Sequence, residues 1–159
     1  MSQKSLAAWL KFIIAGLAAL LLFFVALVVP GLGKSTISYA PEFSGWFVPW
    51  LVYAWAAAIP CFIAAVFAWK IADNIGKDRS FSIANALLLK RIAILAAVDG
   101  AVIFTGDLIL SLLGMSHPGF SLALLIVVFL AVAASVACAA LSHLVRKAAD
   151  LQQESDLTI

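Results

Sequence analysis

Residues 70–91, KIADNIGKDRSFSIANALLLKR, form the one long polar interruption between apolar runs in this chain. Five of the ten Lys and Arg residues lie within it. Directly upstream is an apolar run over residues 46–69, and directly downstream another over 92–113. Each is long enough to cross a bilayer, since about 20 residues rising ~1.5 Å apiece span the hydrocarbon. Two further runs, 12–30 and 120–145, complete the set. The expected fold is all-α: a four-helix transmembrane bundle, one membrane domain over residues 1–159, with loop 70–91 and tail 146–159 on the same side.

Composition supports this. Hydrophobic residues make up 65% of the chain and charged residues 11%, with a mean hydropathy of +1.15. Soluble domains run at roughly 45–50% apolar and about 25% charged, so a water-soluble fold of this length cannot hide so much apolar surface. The first run has Lys4 and Lys11 before it, as a signal peptide would. Its apolar stretch exceeds the roughly 7–15 residues of a signal core, and Pro30-Gly31-Leu32-Gly33 follows instead of a small-residue cleavage site. It reads as an uncleaved span ended by Pro30-Gly31. Residues 31–45 read as an irregular outer loop, with a short β-like or interfacial segment around Ile37 to Tyr39.

Topology follows from the cations. Lys4, Lys11, Lys70, Lys77, Arg79, Lys90, Arg91, Arg146 and Lys147 share one side, and Lys34 alone takes the other. The positive-inside rule then places both termini in the cytoplasm. Within the loop, Asp73 and Lys77 make an i,i+4 pair that carries helix beyond the membrane. Gly76 suits the C′ position that ends it, and Ser82 caps the next helix with Asn85 three residues on.

Trp46, Phe47, Trp50, Tyr53 and Trp55 crowd the start of the second span, where amphipathic rings settle at the headgroup level, and Trp69 marks the opposite interface. Pro60 falls mid-span and predicts a kink near 56–60. Small residues recur at four-residue spacing in the fourth span (Ala131, Ser135, Ala139; Ala134, Cys138, Ser142) and in the second (Ala57, Cys61, Ala65). That spacing predicts close packing of spans two and four. The short turn Gly114 to Gly119, which includes His117, makes spans three and four an antiparallel hairpin. After Arg146-Lys147 the tail pairs Arg146 with Asp150, and the acidic Asp150, Glu154 and Asp156 oppose the helix dipole, so the last residues are expected to be extended.

Asp99 and Asp107 are the only acids inside an apolar run. An ionised carboxylate in hydrocarbon is costly, so intramembrane acids are functional candidates. Asp99 is the deeper, about 12 Å past Arg91 along a helix axis, and Asp107 is placed near the outer interface. A structural polar contact and a role in proton, ion or ligand handling both stand as readings of this pair. Cys61 and Cys138 read as free thiols packing as small hydrophobes, with a bridge between two spans as the other possibility. His117 and His143 lie at opposite ends of the bundle and do not share an iron. No phosphate-binding glycine loop, metal cluster or nucleophile triad is present, so the chain is read as neither an enzyme nor a cofactor carrier. The tail ends in Leu157, Thr158 and Ile159, superficially in the form of a C-terminal docking motif.

The segment AIPCFIAAVFAWKIADNIGKDRSFSIANALLLKRI, together with the closing ESDLTI, resembles the bacterial membrane family catalogued as domain of unknown function 2975. The resemblance rests on Asp73-Asn74-Ile75-Gly76-Lys77 followed by Phe81-Ser82 and Asn85, and on Glu154 to Ile159, where Ser155 replaces the family's usual Asn. It implies a four-span protein of the bacterial inner membrane. It also implies a gene neighbour, a small helix-turn-helix regulator of the Xre/Cro type. On this reading the protein is a membrane sensor or anchor that controls such a regulator and contacts no nucleic acid itself. Asp73, Asn74, Phe81, Ser82, Asn85, Glu154, Asp156, Leu157, Thr158 and Ile159 form the expected docking surface. The other reading is a small transporter or channel subunit using Asp99, which a homo-oligomer would favour.

Overall fold

A computed structural model describes residues 2–116 and 118–157, with the side chains of Asp156 and Leu157 left aside. Every described element is helical. Helix α1 (Gln3–Phe23) starts at Ser2, whose hydroxyl accepts the Ser5 amide at 3.2 Å. It does not end at Pro30. It passes through a π-helical turn (Phe24–Val28) into α2 (Val29–Tyr39), and a 3-10 turn (Pro41–Trp46) follows. The expected irregular loop over residues 31–45 is therefore mostly helix, with no β-like segment at Ile37 to Tyr39.

The π turn explains how helix continues through a proline. The Val29 N–H reaches back five residues to the Phe24 carbonyl. The carbonyl of Val25 is left over: its α-helical partner, Val29, is taken, and its π-helical partner is Pro30, which has no N–H. The indole Nε1 of Trp55 donates to that carbonyl at 3.2 Å. Trp55 thus ties two spans together, beyond any interfacial role. Farther along α2, the Thr36 and Ser38 hydroxyls donate to the carbonyls four residues back, each at 3.0 Å.

Helix α3 (Phe47–Gly76) runs without a break through Pro60. Helix α4 (Ile83–Leu112) and helix α5 (Pro118–Leu157) complete four helices long and apolar enough to cross a membrane. Packing is sequential: α1 lies on α3, α3 on α4, and α4 on α5. Among the described residues the backbone of α5 approaches neither α1 nor α3 closely, so the four spans form a row. The buried apolar residues among those described are Ala7, Ala58, Ala72, Ala86, Ala93, Ile103 and Ala149, all alanine but one, while most large apolar side chains are exposed. That inversion of a soluble core is what lipid solvent produces. Helices gain little from burying Leu against Leu there and associate where small residues let backbones approach.

The small-residue stripe of α5 consequently packs on α4, and the expected pairing with the second span is not formed. A Cβ added at Gly100 would lie 3.2 Å from that of Ala131. Ser135 donates to the Ala93 carbonyl at 2.8 Å and Ser142 to that of Ala86 at 2.7 Å. The α4–α5 connection is short, so α5 folds back on its immediate predecessor and its small face is already occupied.

The α3–α4 and α4–α5 turns close with the same hydrogen-bond pair. After α4, the Met115 N–H returns to Leu110 and that of Gly114 to Ser111, with Gly114 at φ 69°. After α3, the Arg79 N–H returns to Asn74 and that of Asp78 to Ile75. Here the left-handed position is Asp78, at φ 60°, and not Gly76. Aspartate tolerates this conformation better than most residues. Gly76 remains helical, and a Cβ there would come within 3.1 Å of Ala7. Its smallness brings α1 against α3.

The tail is also helical. Helix α5 continues to Leu157, because Ala148, Ala149, Leu151, Gln152 and Gln153 are good helix formers and their summed preference exceeds the dipole penalty of the acids. Arg146 and Asp150 do not form the expected ion pair.

Replacing Trp55 with Phe keeps the ring and removes the donor. We expect a loss of about 1 kcal/mol in thermal or denaturant unfolding of the detergent-solubilised protein. In a Pro30→Ala background, where residue 30 regains an N–H for the Val25 carbonyl, the same change should cost measurably less.

Candidate functional site

At one end of the row the start of α1, the α3–α4 turn and the end of α5 come together. The turn is fastened from inside by asparagine. Asn85, in the first turn of α4, is 1% exposed. Its amide donates to the carbonyls of Arg79 (3.1 Å) and Ser80 (3.0 Å), and its side-chain oxygen accepts from Asn74 at 2.7 Å. Ser82 caps α4 as expected, accepting the Asn85 N–H at 3.3 Å. Asn74, Ser82 and Asn85 are thus committed to holding the turn.

Asp73 pairs with Lys11 of α1, where its i,i+4 neighbour Lys77 was the expected partner. The Lys11 ammonium also lies 5.4 Å from the centroid of the Trp69 ring, a cation–π contact. The hydrogen bond from Lys11 is the largest cause holding the Asp73 carboxyl below its usual range. Partial desolvation opposes it, and the charges of Lys11 and Lys77 add to it.

Of the expected docking residues, Phe81 stands free, 60% exposed. It borders an open groove of about 520 Å³ lined by Gln3, residues 78–83, Ala149, Gln152 and Gln153. Of the expected docking residues the groove takes in Phe81 and Ser82, and its other walls are Ala149, Gln152 and Gln153 of α5 and Gln3 of α1. Glu154 lies farther along α5. The side chains of Asp156 and Leu157, together with Thr158 and Ile159, lie outside the described residues, as does His117.

The two intramembrane acids sit in the seam of α4. Asp99 is 6% exposed and Asp107 8%. Asp99 Oδ2 accepts from the Cys61 thiol of α3 at 3.3 Å, and its Oδ1 is enclosed with no hydrogen-bond partner. Asp107 is enclosed by serines. Its Oδ1 accepts from Ser116 (3.1 Å) and Ser121 (3.0 Å), whose oxygens lie 2.8 Å apart, with Ser111 3.3 Å from Ser121. Midway between the acids, the Tyr53 hydroxyl donates to the Ile103 carbonyl at 2.8 Å. Gly106 makes this possible, since a Cβ there would overlap the Tyr53 ring.

Cys61, Tyr53 and the serines were not singled out as site residues from sequence. From sequence, Cys61 reads as a small packing residue and Tyr53 as part of an aromatic belt. The serines do leave a signal, recurring every five residues at 111, 116 and 121 beside Asp107. Cys61 and Cys138 are free thiols. Among the described residues no three His, Cys, Asp or Glu side chains gather to hold a metal.

A family model described as a protein of unknown function, DUF2975, matches residues 31–159. The chain belongs to this family. The matched region contains the asparagine-fastened turn, both acids and the groove-lining end of α5, and begins within α2. The chain is also similar to the uncharacterized membrane protein YoaS of Bacillus subtilis (strain 168), 28% identical over 110 residues, 68% of this chain and 69% of that protein. No solved structure matches. With four apolar helices and a membrane-protein relative, this member of DUF2975 is a membrane protein in contact with the lipid bilayer.

Asn85→Ala should cost about 1–3 kcal/mol in unfolding, because it leaves two carbonyls and the Asn74 amide without their partner. The Lys11–Asp73 pair predicts a pH dependence. The folded-state carboxyl is depressed, so its stabilisation is fully present above the ordinary aspartate value of about 3.9. It is lost as pH falls through the lower folded value. The difference in melting temperature between native protein and Lys11→Gln should be constant near neutrality and close in acid.

Proposed function

We propose that this protein is an anchor in the bacterial inner membrane whose cytoplasmic groove docks a small regulator of the Xre/Cro helix-turn-helix type. The observation that carries this reading is the convergence of the turn, the end of α5 and the start of α1 around an exposed Phe81. Topology does not require that arrangement. Asn74, Ser82 and Asn85 make the turn rigid, and a rigid surface loses less conformational entropy on binding. The cation bias supports a cytoplasmic location, since nine of the ten Lys and Arg residues fall at the groove end of the spans. The acids of α5, Asp150 and Glu154, are complementary to the basic surface that a DNA-binding regulator carries.

A transport role for Asp99 is the other reading. It calls for more than one copy, because among the described residues the four spans pack as a row and close no ring.

Phe81→Asp, or deletion of residues 154–159, should release the regulator from the membrane fraction, while the variant protein itself stays there. Undiminished co-sedimentation in both cases removes the docking reading.

A further inference from the structure

Asp99 is the one buried polar group in the membrane interior whose partners are incomplete among the described residues. One oxygen has a weak thiol donor at 3.3 Å, and the other is enclosed with none. No cation faces it. The ionisable groups of α3 at this level are Cys61 and Tyr53. On α4 they are Asp107, two turns away, and Arg91, about 12 Å in the other direction, which lies over the Phe67 ring at 5.8 Å. On α5, between Pro118 and Ser142, the only one is Cys138. An enclosed carboxylate with a single weak donor and no counter-charge is the costliest state open to this side chain. A proton on the carboxyl cancels the charge and leaves a single neutral oxygen to satisfy.

The surroundings also have a direction. Toward Arg91, α4 presents only the apolar residues 92–98, and the nearby serines of α5 are spent on the Ala93 and Ala86 carbonyls. The other way, polar groups follow turn by turn. The Tyr53 hydroxyl lies at Ile103, and Asp107 with Ser111, Ser116 and Ser121 lies one turn beyond. Gly106 keeps that line open by making room for the tyrosine ring.

We propose that Asp99, bonded to Cys61, is an intramembrane proton-binding site reached from the end of the helix row opposite the groove. The proton comes from water at the Asp107 end, binds a carboxylate oxygen of Asp99, and returns by the same route. Tyr53 and Asp107 position that route. The site is separate from the groove and does not depend on the docking reading.

Infrared spectroscopy of the full-length protein in lipid vesicles tests this. At neutral pH the native protein should show the C=O stretch of a protonated carboxyl, shifted on transfer to D2O. Asp99→Asn should remove the band. Asp99→Glu, which keeps a carboxyl, should move it. Asp107→Asn should leave it in place, and Cys61→Ala should shift it by removing the thiol donor. Tyr53→Phe and Asp107→Asn should each slow the deuterium shift several-fold. Absence of the band in native protein, or its survival in Asp99→Asn, overturns the site. An unchanged exchange rate in both route variants overturns the direction of access. Should Asp99→Asn fail to fold, the Asp99→Glu and Cys61→Ala shifts decide the assignment, and a band unmoved by both overturns it.

Discussion

Inside a bilayer no water is available to an unpaired carbonyl or carboxylate, and each one left over costs several kcal/mol. This constraint organises the tertiary structure. A proline interrupts the first span, and a tryptophan from the next helix answers the carbonyl it strands. Two serines of α5 add second donors to carbonyls of α4. Tyr53 does the same at Ile103. In each case a side chain crosses from one helix to another to reach a backbone oxygen. Helix adjacency and polar satisfaction are one problem, solved at the same residues.

The second consequence concerns size. Because lipid already solvates Leu, Ile and Phe, nothing drives them inward, and the interior is left to alanine and glycine. The α4–α5 pair shows the result, with Gly100 against Ala131 and serine hydroxyls within reach of the opposing backbone. At the membrane's edge the rules change. Lys11 and Asp73 pair where water is near, with Trp69 supplying an aromatic face. The α3–α4 turn is held by an asparagine buckle whose donors and acceptor are all used. The groove beside it combines apolar Phe81 with glutamines, an aspartate and an arginine.

Much of this was legible in the residues. Runs of apolar residues at bilayer length gave four spans, and Ser82 announced the start of α4. The turn at Gly114 agreed with its glycine. At Pro30 and Gly76 a local rule meets a neighbouring helix, whereas in the tail one local preference, for helix, outweighs another. Pro30 does stop an isolated helix, but Trp55 sits thirty residues from Val25 and supplies the missing donor. Gly76 suits a helix end, yet the close approach of Ala7 gives it a different use. The docking candidates divide in the same way. Asn74 and Asn85, expected on the docking surface, are internal fasteners in space, whereas Phe81, from the same set, stands at the rim of a groove.

By itself the sequence determined the class of solvent, the number of crossings, the clustering of cations at one end and the presence of two acids in one span. Each depends on composition or on spacing along one chain segment, which a reader of residues can count. Only the tertiary structure decided the order of helices in the row, the partners of Asp73, Asp99 and Asp107, and the difference between the last two. Those depend on which helix lies beside which, and in lipid that choice turns on small residues and single hydrogen bonds whose partners lie tens of residues away. Asp107 finds its serines because a short turn folds α5 over it. Asp99, two turns deeper, meets only a thiol.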